Sequence, residues 1–69
     1  MSPYAMKARY YTRRAWMALG KAREAQFNAA NGTNPFIQEL DRAMVQHHAL
    51  QARMTMQTAL IYRQIEGRL

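Results

Sequence analysis

Ala8, Ala15, Ala22 and Ala29 recur at intervals of seven, and Tyr4, Tyr11, Ala18 and Ala25 follow the same interval three residues out of step. A sustained 3–4 spacing puts residues on one face of an α-helix and is the signature of a coiled-coil seam. Alanine at most of those positions narrows the choice further. Such a seam accepts a partner helix at the short end of the usual ~8–10 Å separation. The pattern therefore predicts a long helix whose principal business is close packing against a second one.

The second helix lies in the same chain. Ser2-Pro3 reads as an N-cap followed by the first helical residue, and Asn34-Pro35 repeats that signal. Between them stand mostly Ala, Arg, Lys, Met and Leu, all good helix formers. Gly32 falls where a left-handed C-cap belongs, and Gly67 falls where the second helix should end. The reading is a single all-α hairpin over residues 1–69: helix one over about 3–30, a turn over 31–34, and helix two over about 35–66. A turn that short forces the helices antiparallel.

Pairing large residues with small ones suggests which face of helix two meets the alanines. Ile37, Met44, Gln51, Thr58 and Ile65 share one heptad position, and Leu40, His47, Met54 and Ile61 share the other. Folding at the turn sets Ala25 near Leu40, Ala18 near His47 and Tyr11 near Met54. The expected intramolecular seam is thus Ala8, Tyr11, Ala15, Ala18, Ala22 and Ala25 against Leu40, Met44, His47, Met54 and Ile61. Val45, Ala49, Ala52, Met56 and Ala59 form a second apolar stripe, rotated by about 130°. Phe36, Ala43 and Leu50 widen the first stripe. Trp16, Leu19 and Phe27 make a further patch on helix one. One partner helix cannot cover so much of the circumference, so the second stripe and this patch are expected to face other subunits.

Size supports that expectation. A chain of 69 residues without cysteine has no disulfide or thiolate metal site to support a marginal core, which leaves association as the source of extra stability. Its formal net charge of +6 favours acidic partners, whether nucleic acid, an anionic membrane surface or protein. Lys7, Arg14 and Lys21 line one edge of helix one, and Arg9, Arg13 and Arg23 broaden the basic surface around Trp16. Such a row can contact phosphates, or pair with acids on a neighbouring subunit.

Several function classes are disfavoured. The longest apolar run, residues 15–19, is far short of the ~18 needed to span a bilayer, and no secretory h-region is present. The acid-free, Arg-rich first 23 residues share the composition of a mitochondrial presequence, but they run unbroken into helix one and read as structural. His47 and His48 point ~100° apart on a helix and cannot chelate one metal together. His47 therefore reads as a seam imidazole. Asn31-Gly32-Thr33 reads as turn chemistry. There are no paired carboxylates, no nucleophile beside a base and no phosphate-cradling loop. The expectation is a non-enzymatic chain with no cofactor, metal or small-molecule substrate.

Helix two, from Asn34-Pro35 through Leu40-Asp41-Arg42-Ala43-Met44 to Leu60-Ile61-Tyr62-Arg63, resembles the carboxy-terminal helix of bacterial axial proteins. These are flagellar rod subunits and type III secretion needle or inner-rod subunits. Phe27-Asn28-Ala29-Ala30-Asn31 is similar to the end of the rod amino-terminal helix. The likeness covers about half the chain. It implies a subunit that self-assembles helically, in agreement with the apolar circumference. The expected function is a structural subunit of a homo-oligomer or large complex of the secretion-apparatus, rod or virion kind. The alternative is a basic hairpin that binds nucleic acid as a dimeric bundle.

Overall fold

A computed structural model describes residues 2–68 and shows two helices, α1 (Pro3–Asn31) and α2 (Pro35–Arg68), packed side by side along their whole length. The resulting rod measures 53 × 15 × 12 Å. Its long dimension is that of α2 itself, whose 34 residues span about 51 Å at 1.5 Å per residue.

The caps follow the sequence signals at both helix starts. Ser2 Oγ accepts from the Ala5 amide at 3.1 Å, and Pro3 occupies the first turn, where its missing N–H costs nothing. Asn34 Oδ1 accepts from Phe36 N at 3.0 Å and from Ile37 N at 3.4 Å. Both glycine expectations need correction. Gly32 ends α1 at φ −73°, ψ 152°, an extended rather than left-handed conformation. What favours glycine there is space: a Cβ would sit tightly against Gln38 Cγ at 3.0 Å and the Asn28 carbonyl at 3.1 Å, so these neighbours would have to give by a few tenths of an ångström. Gln38 supplies the cap from the other helix, with its side-chain amide donating to the carbonyls of Ala29, at 3.1 Å, and Gly32. Those are carbonyls that the end of a helix leaves unpaired. Gly67 does not stop α2, which continues through Arg68 with no glycine at positive φ among the described residues.

The alanine face of α1 is the core. Ala8, Ala15, Ala18, Ala22, Ala25 and Ala29 are all buried, and Tyr11 is half-buried beside them. On α2, however, the face that meets them differs from the one expected. Ala59 is the most enclosed residue at 1 % exposure, and Gln38, Asp41, Val45, His48, Ala52, Thr55, Tyr62 and Glu66 are half-buried in the same 3–4 rhythm. Leu40, Met44, His47, Met54 and Ile61, expected in this seam, are exposed instead. Tyr11 stacks on Tyr62, with centroids 5.7 Å apart and planes 9° apart, while Met54 stays 57 % exposed.

Side-chain volume explains the choice. A row of alanines presents little surface until the opposing backbone is close, and a facing row of Leu, Met and Ile would hold it away. Val45, Ala52, Thr55 and Ala59 let the helices approach, recovering dispersion contacts along the whole seam. The polar members of this face are accommodated. Thr55 Oγ1 donates back to the Gln51 carbonyl at 2.7 Å, and Ser2 donates to the Glu66 carboxylate at the open end. Among the described residues, no buried side-chain nitrogen or oxygen lacks a partner.

Candidate assembly surface

With the seam assigned, most of the large apolar side chains of α2 outside it face outward, while Met56 and Ile65 are half-covered. Phe36, Ile37, Leu40, Met44, Leu50, Met54 and Ile61 are 38–75 % exposed. They follow one helical stripe in the order 36/37, 40, 44, 50, 54, 61, which His47, Gln51 and Thr58 interrupt. Rigid helical backbone on both sides of each residue fixes the stripe as a mainly apolar ridge. Arg42 and Arg63 lie on other faces of the wheel, and Glu39 and Arg53 flank the stripe beside Leu50.

The residues expected to meet other subunits divide three ways. Ala59 is buried and Val45, Ala52 and Met56 are half-buried, so this stripe belongs to the hairpin's own seam and its flank. That corrects the assignment, for the volume reason given above. Ala49 lies at the edge of the same stripe and is exposed. Trp16 and Phe27 face outward at 60 % and 66 % exposure, while Leu19 is half-covered. The two α2 stripes thus exchange roles. The one expected inside is the outer surface, and the one expected outside closes the hairpin.

The basic residues of α1 are all exposed: Lys7, Arg9, Arg13, Arg14, Lys21 and Arg23. Two are braced against tyrosine. Arg14 donates to the Tyr10 hydroxyl at 2.9 Å with its guanidinium 5.6 Å from the ring centroid, and Lys7 Nζ sits 5.4 Å from the centre of the Tyr62 ring. Arg13, Arg14 and Lys21 line a shallow groove of about 450 Å³ together with Tyr10, Met17 and Gln51. Cations held over aromatic faces gain about 0.5–1 kcal/mol at exposed sites and remain available to a polyanion.

The two histidines are neighbours on α2. Their rings stand edge to face at 5.2 Å, and His48 Nδ1 is 3.1 Å from Gln51 Oε1. No cluster of three ligating side chains exists among the described residues. His47 is exposed on the outer stripe rather than in the seam, which corrects its expected place, and His48 takes the half-buried position. No described helix is long and apolar enough to cross a membrane.

Sequence reasoning missed Gln38, His48, Thr55 and Tyr62 as seam residues. The available signal was the run 38, 45, 52, 59, 66, which repeats every seven residues and, in its central three members Val45, Ala52 and Ala59, matches the smallness of the α1 row. Comparison of the chain with protein-family models, with curated proteins and with solved structures found no match.

Proposed function

We propose that the chain is a structural subunit that builds an assembly by burying the outer stripe of α2. The observation that carries this reading is the size of the ridge. Seven large side chains with the exposures given above present roughly 700 Å² per chain, more than the ~300–600 Å² of the largest apolar patch on a typical monomer. A hairpin whose own core is a row of alanines has little other burial to stabilise it, so covering the ridge adds both stability and a function. The resemblance of α2 to axial rod and needle subunits points to the same class of role.

Sedimentation equilibrium tests the reading. The parent chain is expected to sediment well above its 8.0 kDa chain mass. Met54→Glu should return it to monomer while far-UV circular dichroism stays helical, because a carboxylate cannot be buried in an apolar contact without a cost of several kcal/mol. A parent that stays monomeric at high concentration and is unaffected by Met54→Glu would sink the proposal.

A second reading rests on the tyrosine-braced cations of α1, which suit a phosphate backbone. If it holds, binding to mixed-sequence duplex should weaken with a log–log salt slope of about −0.9 per phosphate contact. Changing Lys7, Arg14 and Lys21 together to Gln should then flatten that slope by roughly two to three units. Weak binding at physiological salt, with the triple variant altering oligomer size instead, would assign the row to subunit packing.

A further inference from the structure

We infer that the occupant of the outer α2 stripe is the same stripe of a second copy, laid antiparallel about a two-fold axis level with residue 49. This rests on the assembly reading and adds the partner, its orientation and its register.

The area is the first ground. The stripe exposes roughly 700 Å² per chain against the ~800 Å² per partner that a standard-sized interface buries, so its paired layers form the centre of the contact and flanking residues such as Phe36 and Leu50 its margin. It lies on one straight helix of 34 residues that a second such helix can follow from end to end. A two-fold contact uses the same patch twice, so residue i must meet j while j meets i. The stripe satisfies that condition. About an axis level with residue 49, Ile37 faces the partner's Ile61, Met44 faces the partner's Met54, and Leu40 faces the partner's Thr58. The hydroxyl of Thr58 is already bonded to its own Met54 carbonyl at 3.0 Å, so it brings no unmet donor into that layer. The other two polar members, His47 and Gln51, face each other rather than an apolar residue. A polar layer of this kind specifies register in coiled coils.

Charge selects the antiparallel orientation. The free-terminus half of the hairpin carries Lys7, Arg9, Arg13, Arg14, Arg53, Arg63 and Arg68 against Glu66 alone. The turn end balances Lys21, Arg23 and Arg42 with Glu24, Glu39 and Asp41. A parallel pair would set the two cationic ends side by side. The antiparallel pair instead brings each cationic end level with the three acids of the other chain, and it also opposes the two helix dipoles.

Spin labels on single cysteines test this directly, since the chain has no cysteine of its own. Gln46 and Gln64 are both exposed. In the antiparallel pair, labels at Gln46→Cys lie about 9 Å apart along the axis and labels at Gln64→Cys about 45 Å apart, at 1.5 Å per residue. The expected result is a two-chain mass by sedimentation, a short dipolar distance at position 46 and a long one at position 64. Both distances should vanish when Leu40→Glu is added, with helicity retained. Short distances at both positions would mean a parallel pair and overturn the inference. A heavier assembly without the short distance at position 46 would overturn it while leaving the assembly reading intact. A chain that stays monomeric at every concentration would overturn both.

Discussion

Replacing Ala59 by aspartate should leave most of the chain unfolded, seen as loss of the helical far-UV circular dichroism signal and of any cooperative melt. Ala59 is 1 % exposed, the most enclosed side chain among the described residues, and a short aspartate stem cannot lift its carboxylate out of the seam to water. An unpaired buried charge costs several kcal/mol. Folded domains hold only about 5–15 kcal/mol in total, and one of this size sits at or below the bottom of that range. Met54→Glu introduces the same charge on the outer face and serves as the control, because it should spare helicity and abolish only association. If Ala59→Asp melts like the parent, Ala59 is not enclosed and the assignment of the seam is wrong.

Ala15→Leu should lower the melting temperature by roughly 5–20 °C. Ala15 is 3 % exposed in the middle of the alanine row, level with Ala52 and Thr55 on the facing helix. Three added heavy atoms have no void to enter, so the helices must separate locally or the side chain must leave its preferred rotamer. Overpacking of this kind costs about 1–3 kcal/mol, and each kcal/mol moves the midpoint of a domain this small by about 4–8 °C. The change also weakens the contacts of the neighbouring Ala18 and Ala22, so the larger shift is the one expected here. A melting point that stays the same or rises would show that the alanine row has room to spare. The close approach of α1 and α2 would then not be what excludes the bulky α2 stripe from the seam.

These two substitutions probe the part of the architecture in which sequence and structure agree least evenly. Both helices, both N-caps, the turn and the alanine face of α1 were readable because each depends on a few local residues. Ser2-Pro3 and Asn34-Pro35 begin helices through backbone groups two and three residues away, and the seven-residue alanine period has no competing reading. Gly32 was located correctly but for a different reason. Its neighbours Gln38 and the Asn28 carbonyl, which would crowd a Cβ, are brought together only by the folded turn.

Which face of α2 closes the hairpin was not readable from periodicity. Two stripes on that helix share the same 3–4 spacing, one running through Leu40, Met44, Met54 and Ile61 and the other through Val45, Ala52, Thr55 and Ala59. Hydrophobicity favoured the first and the structure uses the second. By itself the sequence determined two long helices, their antiparallel hairpin and an apolar surplus larger than one interface can cover. Tertiary packing alone decided where the surplus lies, because the separation of two helices is a property of both surfaces at once. A row of alanines gains contact only when the opposing side chains are small enough to let the backbones close, and the large residues are thereby left facing outward.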